Sequence, residues 1–397
     1  MASASPSARP AAGATAATRP RNRRQLIVEA AGRVFSERGY HAASMEEVAA
    51  GVGITAAALY RHFPNKYALF AECADVMVDG LVAALDEVPP GAASAHVLAA
   101  VTRITVAHRA SGGVYRWEAR YLRREDRRRL AVKFARLAGR VDEAVQREHP
   151  RADRQLRALA ALGAIGSITM HHTSIAQRRA EELLLASALR VVASDPATGP
   201  PGPRVAVDLP AQPVPRTRRA EILAASVPLF ARDGFVSVTN GQIAEAVGLT
   251  PSALYRHYPG KIDILAAACL PAAALLAQGV ERSLREVAGP HDAIVALAAT
   301  YVAYSFEYTE LNSVAEAELA GLPAGLRRPV VLAQREHIAV WEQQLRLARP
   351  ELDPRQARVL VHAGFGVAVE AGRKLRWQDT PEHREAVTAL VVSALGL

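Results

Sequence analysis

LYRHFPNK, Leu59 to Lys66, and LYRHYPGK, Leu254 to Lys261, are nearly one phrase written twice. The likeness extends outward in register. Arg24 to Lys66 aligns on Arg219 to Lys261 without a gap, and sixteen of the 43 positions are identical, too many for chance. Phe35 pairs with Phe230, Gly39 with Gly234, and Val52-Gly53 with Val247-Gly248. A long-period repeat marks a chain built from like units. Between the copies lies Asp195 to Pro215, DPATGPPGPRVAVDLPAQPVP. It is too rich in Pro for a helix or central strand and reads as a stiff, extended linker. The 397 residues therefore divide into two similar halves. Each is a short module followed by a long stretch of helical pattern.

The first module can be read physically. Leu26, Ile27, Ala30, Ala31, Val34 and Phe35 recur at helical spacing. Gly39 is a stop that tolerates positive φ. Ser44-Met45-Glu46-Glu47 has the spacing of a capping box, as does Thr239-Asn240-Gly241-Gln242 in the second copy. After Gly51 to Gly53, Thr55 is an N-cap for a short third helix. Its counterpart Thr250 precedes Pro251, the favoured first helical residue. Pro64 pushes Phe63 out of the helical region, so that helix ends before it. A helix, a Gly turn and a second short helix make a helix-turn-helix, whose second helix enters the major groove. The residues offered to DNA are Ser44, Thr55, Ala56, Ala57, Tyr60, Arg61, His62 and Lys66. In the second copy they are Thr239, Thr250, Pro251, Ser252, Tyr255, Arg256, His257 and Lys261. Packing alone has no need to repeat an exposed Tyr-Arg-His and a Lys. Lys66 and Lys261 open the following helices, where charge and helix dipole both attract phosphate. The arms Arg19 to Arg24 and Arg216 to Arg219 suit a minor groove or phosphates, or equally a solvated helix start.

Composition agrees with an all-α protein: Ala, Leu and Arg are helix formers, and only 5% of residues are aromatic. Two cysteines, Cys73 and Cys269, exclude a disulfide framework and a four-thiolate zinc site, and a reduced, cytoplasmic setting is expected. Residues 1–20 lack the apolar segment of a secretory signal and read as a disordered tail. The apolar runs Ala158 to Met170 and Ile294 to Val302 are shorter than a membrane span. The net charge of +9 suits nucleic acid, or reflects an Arg-rich composition.

Both modules resemble the DNA-binding domain of TetR-family transcriptional regulators. The resemblance rests on Ile27, Ala30, Phe35, Gly39, Ile54 to Ala58, Leu59-Tyr60-Arg61-His62-Phe63 and Lys66. The second set is Ile222, Ala225, Phe230, Gly234, Leu249 to Ala253, Leu254-Tyr255-Arg256-His257-Tyr258 and Lys261. It implies a three-helix head and a helical body that binds a small effector and dimerises. The expected division is head 21–70, body 71–194, linker 195–215, head 216–265 and body 266–397. Two heads in one chain imply a covalent pseudo-dimer, with a homodimer of whole chains as the alternative. The tandem plan and Trp117-Glu118-Ala119-Arg120-Tyr121-Leu122 also resemble repressors of the mammalian-cell-entry operon type. The last helices of each half, from Leu156 to Val192 and Gln356 to Leu397, would form a four-helix interface.

The functional expectation is a ligand-responsive, sequence-specific repressor of double-stranded operator DNA. Because Ala56-Ala57 face Pro251-Ser252, and Met45-Glu46 face Asn240-Gly241, unlike half-sites follow. The alternatives are a non-specific architectural DNA binder and an enzyme with vestigial heads. No nucleophile-base arrangement or phosphate-binding Gly loop supports the last, so no catalytic residue and no cofactor is assigned. Effector candidates are Tyr115, Trp117, Arg120 and Tyr121 in the first body and Tyr304 and Tyr308 in the second, for a small hydrophobic or acyl-type molecule. Aromatic residues at such spacing also suit a plain core. His171-His172 diverge by about 100° on a helix and chelate poorly, so no metal is expected. Glu307, Glu310, Glu316 and Glu318 read as an exposed acidic stretch.

Overall fold

A computed structural model describes residues 22–112, 121–151, 153–199, 207–212, 214–285 and 287–397. Among them the chain forms seventeen α-helices and three short 3-10 turns, with no strand. The all-α expectation holds. The first half comprises α1 (Arg23–Ala42), α2 (Met45–Gly51), α3 (Ala56–Tyr60), α4 (Lys66–Asp86), α5 (Ser94–Ala107), α6 (Arg124–Glu148), α7 (Arg154–Gly166) and α8 (Gln177–Ala193). The second comprises α9 (Arg218–Asp233), α10 (Asn240–Ala246), α11 (Pro251–Leu254), α12 (Lys261–Leu284), α13 (Pro290–Glu307), α14 (Thr309–Glu318), α15 (Ala324–Ala348), α16 (Pro354–Lys374) and α17 (Pro381–Leu395).

Local chemistry sets the helix ends in each head. Both capping boxes are formed in full, Ser44 with Glu47 and Thr239 with Gln242. Thr55 accepts from the Ala58 N–H and Thr250 from the Ala253 N–H, so each third helix begins where its threonine stands. The turn before it needs positive φ, which Gly53 (65°) and Gly248 (66°) supply. Ile27, Phe35, Leu59, Phe63 and Phe70 close the first head's core. Ile222, Phe230, Leu254 and Tyr258 close the second, which runs on into its own body through Ile264, Leu265 and Tyr304.

The two halves meet through α7 and α8 on one side and α16 and α17 on the other. One continuous core spans them, from Leu156, Ala160 and Leu184 to Leu360, Val367 and Leu390. Small residues let the backbones touch. A Cβ on Gly163 would lie 2.3 Å from the carbonyl oxygen of Gly366, and one on Gly366 would lie 2.2 Å from that of Gly163. The C-terminal carbonyls of α17 are satisfied from elsewhere. Arg190 donates to Ser393 and Ala394 (3.0 and 2.9 Å), Ser187 to Ala394 (2.8 Å), and Arg349 to Leu395 (2.7 Å). Arg157, fully buried in α7, reaches Asp153, Val192 and His149. The arginines place positive charge near carbonyl oxygens that a helix end would otherwise orphan, and Ser187 adds a neutral donor to the same end.

The described part of the linker is docked rather than free. Asp208 pairs with Arg282 (2.9 Å), and the Tyr308 hydroxyl donates to the Pro210 carbonyl (2.8 Å). One helix, α12, is long and apolar enough to cross a membrane, which exceeds the apolar runs read from the sequence. Its apolar side, including Ile264, Leu265, Cys269 and Leu275, is instead packed in the second core.

Candidate nucleic-acid interface and ligand cavities

The short helices α3 and α11 carry the repeated residues on their open side. Tyr60 is 48% exposed and Tyr255 is 54% exposed, each too open to be core. Thr55, Ala57 and Arg61 are exposed, and so are Thr250, Pro251, Ser252 and Arg256. His62 and His257 are half-buried, and so is Ala56. The structure thus gathers these twelve residues into two like surfaces. Each surface can hydrogen bond through Tyr and His and carries an Arg.

Other sequence assignments come out differently. The Lys66 ammonium is turned inward. It donates to the carbonyls of His41 and Ala43 (3.1 and 3.0 Å) and lies 4.8 Å from the Tyr40 ring centre. Lys261 donates to the carbonyls of Phe235, Val236 and Val238 (2.5, 3.3 and 2.6 Å) and lies 4.5 Å from the Phe235 ring centre. Partial burial lowers both lysine pKa values. These lysines brace the turn after the first helix of each head: Lys261 gives N–H bonds to three carbonyls and Lys66 to two. Ser44 and Thr239 likewise commit their hydroxyls to the caps. Met45, one of the positions that differ between the two heads, is buried in the head core.

Two features were missed. Arg24 donates to the His62 carbonyl (3.0 Å), stacks on Phe63 and pairs with Glu72. Its counterpart Arg219 donates to the His257 carbonyl and stacks on Tyr258. The two arginines pin the chain just past each recognition helix. Their identity at matched positions was the available signal. The second feature is unlike between the heads: Asn240 donates to the Tyr255 hydroxyl (2.8 Å), whereas Met45 stands in the equivalent place before Tyr60. Tyr255 is therefore held by its own head.

A family model described as "Bacterial regulatory proteins, tetR family" matches residues 27–73 and again 222–268. The chain thus carries two such DNA-binding domains in tandem. Among curated TetR-like relatives, the transcriptional activator FasR of Mycolicibacterium smegmatis is 44% identical over 77 residues, 19% of this chain and 35% of that one. The nucleoid occlusion factor SlmA of Photorhabdus laumondii is 37% identical over 70 residues, 17% of this chain and 35% of that one. The chain thus spans about a third of the length of either relative. Solved structures of similar shape include a TetR-family regulator from Bordetella parapertussis (21% identity, 46% of this chain, 95% of that one, TM-score 0.43). AibR, solved with isovaleryl coenzyme A and operator DNA, is another (16% identity, 44% and 96%, TM-score 0.39).

Two cavities lie among the helices of the bodies. The first, about 360 Å³, is lined mainly by apolar residues of α4 to α7, such as Met77, Val101, Phe134 and Ile165, with Glu370 and Arg373 of α16 at its wall. The second, about 450 Å³, is walled mostly by the second body and includes Tyr301, Tyr304, His337, His362 and Phe365. Of the effector candidates, Tyr304 lines this cavity, whereas Tyr308 holds the linker. Tyr121 stacks on Tyr40 and reaches Glu318 at 3.5 Å. Tyr115, Trp117 and Arg120 lie outside the described residues. The acidic stretch is not uniformly exposed, since Glu318 is buried and Glu316 lines the second cavity.

The His171 ring stacks on His362 across the two halves, with centres 4.1 Å apart. Burial holds both rings neutral by lowering their pKa values. Cys73 and Cys269 are buried, and burial pushes both thiols up, so they behave as small apolar residues.

Proposed function

We propose that the chain is a sequence-specific, ligand-responsive DNA-binding transcriptional regulator that acts as an intrachain pseudo-dimer. One observation carries the reading. Two heads with the same exposed Tyr and Arg followed by a half-buried His, each braced by an equivalent Arg and Lys, are joined through one α7-α8-α16-α17 core. A two-fold DNA reader needs two recognition helices held at fixed spacing, and a fused core supplies that without a second chain. The half-sites are unlike, because Pro251, Ser252 and the Asn240-held Tyr255 face Ala56, Ala57 and a differently supported Tyr60. An effector in a body shifts DNA affinity by its differential binding to two arrangements of the heads. An apolar or acyl-type effector fits the apolar walls of the first cavity. Repression follows when the operator overlaps a promoter.

Selection of bound genomic fragments at physiological salt, then footprinting, tests this. Two unlike protected half-sites about one turn apart are expected. Binding without enrichment over random DNA, with a steep salt dependence, would replace the reading with an architectural one.

A further inference from the structure

The second cavity does not belong to one half. Most of its wall is α12 to α16, but Phe35, Ser36 and Gly39 of α1 line it too, as do Arg109, Met170 and His172 of the first body. Helix α1 also packs on residues 319–321 of the second body, just after α14. The second head instead packs on its own body through α9 and α14. No residue lining the first-body cavity belongs to either head. The two cavities therefore differ in what a guest would touch.

The wall of the second cavity contains two buried polar atoms without a hydrogen-bond partner, Ser36 Oγ and His337 Nδ1. The histidine tautomer is set by its neighbour. The Trp341 indole Nε1–H, which can only donate, lies 3.1 Å from His337 Nε2, so Nε2 accepts and the ring proton sits on Nδ1. Burial keeps the ring neutral, with its pKa pushed down to about 4. Phe365 stacks against the ring at 5.8 Å and fixes its plane. A rigid N–H donor with no acceptor is rare in a folded interior, and a guest oxygen would complete it. Arg109 gives one N–H of each terminal guanidinium nitrogen to the Ile175 carbonyl, the wall holds Glu316 along with Arg327, and the His337 ring is uncharged, so a neutral acceptor suits its Nδ1–H better than a carboxylate.

We propose that this cavity binds an apolar molecule bearing a carbonyl oxygen, accepted by His337 Nδ1–H, and that a ligand held by the second body bears directly on the first head through Phe35, Ser36 and Gly39. The wiring is crossed: the second half senses and the first head responds. The coupling rests on the regulatory reading above, whereas the binding site does not.

The test uses the full chain labelled with ¹⁵N-histidine and titrated with 2-undecanone and 2-decalone, a linear and a bicyclic ketone. Decanoate serves as the charged control. Saturable binding of at least one ketone, a moved His337 Nδ1 resonance and at least tenfold weaker decanoate are expected. His337→Phe should weaken the ketone about tenfold, the worth of one hydrogen bond to a buried donor. Ala273→Phe fills the cavity from α12 with His337 intact and should abolish binding. In footprints, bound ketone should change protection of the first head's half-site at least threefold in the wild type and leave it unchanged in Ala273→Phe. Absence of saturable binding of both ketones, or equal affinity in both variants, overturns the site. Binding that changes both half-sites equally, or neither, overturns the crossed coupling. A ligand-free chain that protects no DNA counts against the regulatory reading and leaves the histidine spectra to decide the site.

Discussion

Lowering the pH from 7 to 5 should destabilise this fold, and His337 offers a place to measure the effect of one side chain. In the unfolded chain its imidazole has the ordinary pKa of 6.5, whereas in the fold burial pushes it to about 4. The unfolded state therefore takes up a proton as pH falls through 6.5, and the folded state does not until about 4. Stability is full above the unfolded pKa and drains away between the two values. Linkage converts this to about 2 kcal/mol lost by pH 5 for this one group. That figure is insensitive to the folded value so long as it lies below 5. His337→Gln removes the titration while its amide oxygen can still accept from Trp341. Urea denaturation of both proteins at several pH values isolates the histidine, because every carboxylate titrates alike in the two. The wild-type curve should fall more steeply than the variant's, by about 2 kcal/mol between pH 7 and 5. Parallel curves would refute the claim that His337 is held neutral by enclosure.

Other perturbations probe the core and the heads. Gly163→Ala should cost about 1–3 kcal/mol in denaturant unfolding despite the better helix propensity of Ala, because the new methyl meets the Gly366 backbone. Gly139→Ala in α6, where a Cβ meets nothing within 4 Å, should instead stabilise by up to about 1 kcal/mol. Arg190→Met removes the donors to Ser393 and Ala394 and should cost about 1–3 kcal/mol in the same assay. Asn240→Ala releases the Tyr255 hydroxyl and should weaken only the second head's half-site in quantitative footprints; equal loss at both half-sites would sink the assigned role.

Much of the architecture was legible because it depends on local chemistry repeated at a constant interval. The glycine turns, the two capping boxes, Thr55 and Thr250 at their helix starts and the exposed Tyr-Arg-His all follow from residues within a few positions of one another. The four-helix joint was implied by the resemblance alone; the residues themselves showed only long amphipathic stretches at the ends of the halves. What misled was polarity read without neighbours. Lys66 and Lys261 look like phosphate ligands at helix starts, yet carbonyls some 25 residues earlier in the chain take their protons. Met45 sits between polar residues but is turned into the core, and Glu318 belongs to an acidic run but is buried.

The sequence alone therefore determined the helical class, the doubling and the two like surfaces of the heads, since each is encoded by spacing within one short segment. Only the tertiary structure decided that Gly163 lies against Gly366, that Trp341 sets the proton of His337, and that the first head shares a cavity with the second body. The first and last of these join residues from opposite halves, and even the Trp341–His337 pair has meaning only once the cavity exists. Periodicity states which face of a helix is buried. It carries no information about which distant helix covers that face.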